Sequence, residues 1–140
     1  MARLAPEDWP ELRERVEIVN VHLAAPHTRV PQSWRDRRGQ EEALEAYLAA
    51  SEGRRALVGD LNATPLWPAY RRLAATLDDA AVIAAGRRGR APGRTWGPHP
   101  RAPRLLRIDN VLLDALDVLD FRLLPLARSD HSVVVVDLAT

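Results

Sequence analysis

The chain has no cysteine and no lysine, and only one phenylalanine and one methionine. Without thiols there can be no cysteine nucleophile, cysteine zinc site, iron–sulfur cluster or disulfide. Without lysine, a P-loop of the Walker type and a Schiff-base mechanism are both excluded. No apolar run approaches the roughly eighteen residues of a membrane-spanning helix. The first ten residues carry Arg3, Glu7 and Asp8 where a signal peptide needs an apolar core, so the chain reads as cytoplasmic. What remains for chemistry is His, Asp, Glu, Asn and hydroxyl groups. The 140 residues, 46% of them hydrophobic, suffice for one globular domain spanning 1–140.

All twenty basic side chains are arginines, and against nineteen acids they leave a net charge of +1. That balance gives no global attraction to nucleic acid, but the arginines are unevenly placed. Seven of them (Arg87, Arg88, Arg90, Arg94, Arg101, Arg104 and Arg107) fall between Gly86 and Arg107 with no acid among them. A solvated loop explains such a run. A surface that touches substrate phosphates explains it too, with Arg87, Arg88 and Arg94 as bidentate donors and Trp96 beside them.

Apolar patterning alternates between strand and helix. Arg15–Leu23 is a β-branched run that reads as a strand, preceded by a polar helix or tail and followed by a loop over Ala24–Pro31. Ser33 is placed to cap a helix over Trp34–Ser51, which Gly53 ends. Arg55–Leu61 predicts a second strand, Trp67–Ala75 a short helix and Asp78–Ala85 another helical turn. Leu105–Leu113 and Leu116–Leu124 predict strands joined by a tight turn at Asp114 and Ala115, and Ser132–Leu138 a last strand. Strands alternating first with helices and then with each other predict an α/β fold with a mixed β-sheet and flanking helices.

Polar residues interrupt these apolar runs at four places: His22, Asp60 with Asn62, Asp109, and Asp130 with His131. Each has an ordinary explanation. A histidine after a strand is usually a surface residue, and Asp and Asn two apart before a proline commonly build an Asx turn. Asp109 is harder to set aside, because an acid among Leu105, Leu106, Ile108, Val111, Leu112 and Leu113 needs a partner if buried. His131 is a suitable partner, since a carboxylate-held imidazole is a common acid or base.

The order of these pieces is more specific than any one of them. VHL at Val21–Leu23, GDLNATP at Gly59–Pro65, TW at Thr95–Trp96, RIDN at Arg107–Asn110 and SDH at Ser129–His131 ahead of an apolar strand resemble the endonuclease/exonuclease/phosphatase superfamily. The resemblance runs over residues 19–138 and implies metal-dependent phosphoester hydrolysis with Mg²⁺ or Mn²⁺. It implies that His22 contacts the scissile phosphate and that Asp60 and Asn62 position the attacking water and share in binding metal. It further implies that Asp109 orients His131, that Asp130 is a metal-site carboxylate, and that His131 acts on the phosphate. Those roles suit the reaction, which calls for a hard cation, a deprotonated water and cationic cover for the phosphoryl oxygens.

The resemblance also implies two motifs upstream of the VHL strand, a metal-contacting Asn and a Gln-Glu pair, for which the segment before His22 leaves no room. The expectation is therefore a fold resembling the C-terminal half of the family's two-sheet α/β sandwich, with one sheet face open. Three functional readings follow. The chain is a piece of a hydrolase; or it works as a homodimer whose second copy covers the open face; or it is a non-catalytic module that binds phosphate or nucleic acid. Substrate specificity is expected in the Arg87–Arg104 loop and in Pro26–Arg38, which carries Arg29, Trp34, Arg35, Arg37 and Arg38.

Overall fold

The computed structural model describes residues 1–26 and 31–140. It is an α/β protein with two sheets. Strands β1 (Ala2–Leu4), β2 (Val16–His22), β3 (Arg54–Asp60), β4 (Asp78–Asp79) and β5 (Asp109–Asp114) form a five-stranded sheet in the order β1-β2-β3-β5-β4. Strands β6 (Asp117–Pro125) and β7 (Ser132–Ala139) form an antiparallel ribbon. The helices are α1 (Pro31–Ala50), α2 (Pro68–Leu73) and α3 (Ala80–Arg87).

The larger sheet is mixed. The β2–β3 pair is parallel, bridged by α1 as a crossover, and every other pairing in it is antiparallel. Because side chains alternate across a strand, two apolar sets separate cleanly. Val19 and Val21 of β2, Leu57 of β3 and Leu112 of β5 pack beneath α1 and α2 with Leu44, Leu61, Tyr70, Leu73 and Leu77. Val16, Ile18, Ala56, Val58, Val111 and Leu113 face the other way, against α3 and the inner side of the ribbon at Val118, Phe121, Val134 and Val136.

Several sequence expectations shift. The segment before β2 is not a helix: Ala2–Leu4 pairs antiparallel with β2, with Arg3 bonded to Glu17 and Leu4 packed on the second core. Ser33 lies inside α1 rather than ahead of it, since the helix already runs from Pro31. The strand predicted from Leu105 begins only at Asp109; Leu106 makes a single bridge to Trp96, and Arg107 turns inward to an ion pair. Asp78–Asp79 pairs with β5, and the helix follows at Ala80, capped by the Asp79 carboxylate accepting from the Val82 amide. The turn at Asp114–Leu116, with Ala115 at φ 52°, does not make a hairpin. It carries the chain from the first sheet into the ribbon.

Candidate active site at one end of the sheet

Strand register builds the site. In the parallel pair His22 lies opposite Asp60, and in the antiparallel pair Asp60 lies opposite Asp109. The three are consecutive cross-strand neighbours in one row, on the ribbon-facing side of the sheet, where β2 and β3 end. A slip of one residue in β3 would send Asp60 to the helix-covered face. Gly59 allows the close β2–β3 approach just before it: at φ 131° a Cβ there would fall 1.9 Å from the Val21 carbonyl oxygen.

Ribbon strand β7 starts over this row and brings His131 to it. His131 Nδ1 lies 2.9 Å from one Asp109 carboxylate oxygen and 3.1 Å from the other. A carboxylate only accepts, so Nδ1 carries the proton and Nε2 takes no part in that bond. Donor atoms of Asp60, Asp109 and His131 lie within 4.8 Å of one another. His22 Nε2 sits 3.6 Å from Asp60 with its side chain 77% exposed, on the solvent side of the cluster.

The Asp60–Asn62 pair is an Asx turn and part of the site at once. The Asn62 amide donates to Asp60 Oδ1 at 2.7 Å, and Asn62 sits at φ 45°, a conformation asparagine tolerates. Its side-chain nitrogen donates to the Leu23 carbonyl at 2.9 Å and to Asp60 Oδ2 at 3.3 Å. Burial holds the Asp60 carboxyl above the usual carboxylate range; the Asn62 amide opposes that shift and the Asp109 charge reinforces it.

Asp130 lies outside the three-residue cluster, its carboxylate accepting from Trp96 Nε1 at 3.0 Å. Arg87 donates to the Val118 carbonyl, and Arg88 to the Phe121 carbonyl and the Asp120 carboxylate, so both fasten α3 to β6. Arg94 is exposed and makes no ion pair among the described residues. Arg35 and Arg38 are exposed on α1, while Arg29 lies outside the described residues.

Three residues hold this site together, two of them, Arg37 and Arg104, in the segments expected from sequence to meet substrate and here bonded inward to backbone instead. Thr95, fully buried, accepts the amides of Ile108 and Asp109 on its hydroxyl, and its carbonyl accepts the Ser132 amide. Arg104 donates to the carbonyls of Ser129 and His131. Arg37, on α1, is 2% exposed and reaches the loops after β2 and β3. The TW motif was a signal for Thr95; nothing in the sequence separated Arg37 from the surface arginines beside it.

A row of carboxylates and imidazoles thus stands at the strand ends of a mixed α/β sheet. Residues 3–131 match the Endonuclease/Exonuclease/phosphatase family, and the chain belongs to that family. No curated protein matches it. Among solved structures it is similar to a 3' phosphatase, NExo, from Neisseria, bound to a product DNA hairpin (TM-score 0.71, 19% identity, 93% of this chain and 62% of that one). It is similar to the Xenopus laevis APE2 catalytic domain (0.70, 18%, 89% and 49%) and to a Bacteroides thetaiotaomicron mannosyl-6-phosphatase (0.62, 17%, 88% and 51%). The chain thus spans between about half and about three-fifths of the length of these structures. Among the described residues, no helix is long and apolar enough to cross a membrane.

Proposed function

We propose that this chain carries machinery for metal-dependent hydrolysis of phosphoesters, of the endonuclease or phosphodiesterase kind. The observation that supports this best is the unbroken row His22–Asp60–Asp109 with His131 held on Asp109. The donor set, mostly carboxylate oxygen with one imidazole, suits a hard divalent cation, Mg²⁺ or Mn²⁺. Asp60 and the amide oxygen of Asn62 would hold it, with Asp130 as a further carboxylate after a change of rotamer away from Trp96. When bound, the cation supplies Lewis-acid polarisation of a phosphoryl oxygen and a more acidic water.

The rest is the work of the chain itself. His22, exposed beside Asp60, offers a donor to a phosphoryl oxygen. Asp109 fixes the His131 tautomer, so that Nε2 meets the phosphate as a proton donor or acceptor. Arg94 and Trp96 are proposed to contact substrate. Arg87 and Arg88, assigned to the same surface from sequence, could do so only after leaving β6. A nucleic-acid substrate is the favoured member of the class, because exposed Arg90, Arg94 and Arg101 lie on the loop that leads through Trp96 to His131. A second copy is proposed to cover the ribbon side, where Leu119, Leu124 and Val133 are exposed.

The test follows a phosphodiester reporter and nicking of supercoiled plasmid with Mn²⁺, Mg²⁺ or EDTA, with His131→Ala alongside. Metal-dependent turnover that is lost in His131→Ala supports the proposal. Salt-dependent binding of DNA without turnover at any metal concentration would instead favour the non-catalytic binding module.

A further inference from the structure

The ladder between the parallel strands ends at the His22–Asp60 register, so the residues that follow must be held by something else. Among the described residues, two hydrogen bonds run directly between the two exits: the Leu23 amide to the Asp60 carbonyl at 3.0 Å, and Asn62 Nδ2 to the Leu23 carbonyl. Helix α1 supplies the rest. Arg37 Nη1 donates to the Ala24 carbonyl at 2.7 Å, and Nη2 to the Leu61 carbonyl at 3.0 Å. Gln40, one turn on, accepts the Ala24 amide at 2.7 Å. Both backbone groups of Ala24 are thus held by α1, two residues after His22, and the same guanidinium holds Leu61, the residue between Asp60 and Asn62.

Burying a guanidinium is costly unless every face of it is used. Here Nε pairs with Glu41 at 2.7 Å, Glu41 is in turn bonded to Arg72 of α2 at 2.8 Å, and the plane lies over the Trp67 ring at 5.8 Å. An apolar side chain could fill the space, but only a planar fork can reach two carbonyls from two different strand exits while facing a carboxylate. Building on the hydrolase reading above, we infer that Arg37, assisted by Gln40, is a positioning clamp that sets His22 relative to the Asp60–Asn62 pair. It touches no substrate; it fixes the spacing of groups that do.

Arg37→Lys and Arg37→Met separate the fork from the charge and from the packing. Lysine keeps a cation for Glu41 but cannot span both carbonyls, and methionine keeps the volume alone. The first readout is the amide-proton shifts of Leu23 and Asn62 by NMR, which report the bonds to Asp60 and need no turnover. The second is the split between kcat and KM on the phosphodiester with Mn²⁺. Both variants should move both amide signals toward those of an open loop and lower kcat about 100-fold with KM little changed. Wild-type amide signals in folded Arg37→Lys, or wild-type kcat where the parent protein turns over, would overturn the clamp. If neither variant folds, Gln40→Leu at its exposed position reads the same Ala24 link, and unshifted signals there overturn it. If the parent shows no turnover, the amide shifts still decide the clamp while the hydrolase reading alone fails.

Discussion

The two faces of the five-stranded sheet are built for different ends. The face under α1 and α2 is closed: Leu57 and Leu112 are almost fully buried, and the polar groups there are paired, Arg55 with Glu17 and Arg107 with Asp79, Asn110 and Tyr70. The face under the ribbon keeps a groove of about 410 Å³ between Ile18, Val58 and Val111 on one side and Val134, Val136 and Leu138 on the other. His22, Asp60 and Asp109 all lie on this second, less complete face, at its rim. The proposed reactive groups thus sit where the sheet still borders an open groove.

The sharpest way to break that comparison is through chemistry without stability. Asp60→Asn and His131→Ala should each lower metal-dependent turnover by about a thousandfold, in the range for removing an acid, base or charge-bearing group. Their thermal midpoints should stay close to the parent's, because neither residue is buried in either apolar core. The paired measurement is hydrolysis rate and calorimetric melting on the same preparations. Removing the cation with EDTA should abolish turnover equally and leave the fold melting cooperatively.

The reverse experiment uses packing. Leu112→Ala on the closed face removes a fully buried side chain and should cost about 3 kcal/mol, read as a shift in the denaturant midpoint. Val134→Ala, partly exposed beside the groove, should cost about 1 kcal/mol. Equal costs for the two would mean that the ribbon face is packed as tightly as the helical one. Gly59→Ala, where the two faces share a backbone approach, should cost about 3 kcal/mol and pull β2 from β3.

Much of this was legible in the sequence, for physical reasons that can be named. β2 and β7 are β-branched runs and β3 has a short apolar core, each broken by a few polar residues, so both the strands and the interrupting residues stood out. The site residues fell in line because period-two alternation and register decide facing, and His22, Asp60 and Asp109 share parity with the apolar residues of their own strands. Sequence gave no comparable handle on β1 or β4, which are two or three residues long and exist only through pairing with longer neighbours. The passage of the chain between sheets at Ala115 was equally silent, because a tight turn between two strands has the same local chemistry whether or not the strands then pair. Arg37 was the largest miss: on a helix with arginines at 35, 37 and 38, the buried one is chosen by the carbonyls it meets, which belong to distant segments.

The smallest expected effect concerns how the closed face responds to acid. Glu17 accepts hydrogen bonds from the Tyr47 hydroxyl, Arg3 and Arg55, and the Tyr47 bond leads in holding its carboxyl below the ordinary range. A depressed folded-state pKa means that the unfolded chain takes up the proton first. The stabilisation is therefore complete above the unfolded value, near 4.3, and is lost as pH falls through the lower folded value. Glu17→Gln should melt below the parent at neutral pH, and the gap should narrow as the buffer is taken below about pH 4. Val134 carries no titratable group and makes no ion pair, so Val134→Ala should show a gap that changes far less over the same range. A pH-independent gap for Glu17→Gln would mean that the carboxylate contributes through packing alone, and that the closed face owes its stability to its apolar layer rather than to the ion pairs at its far end.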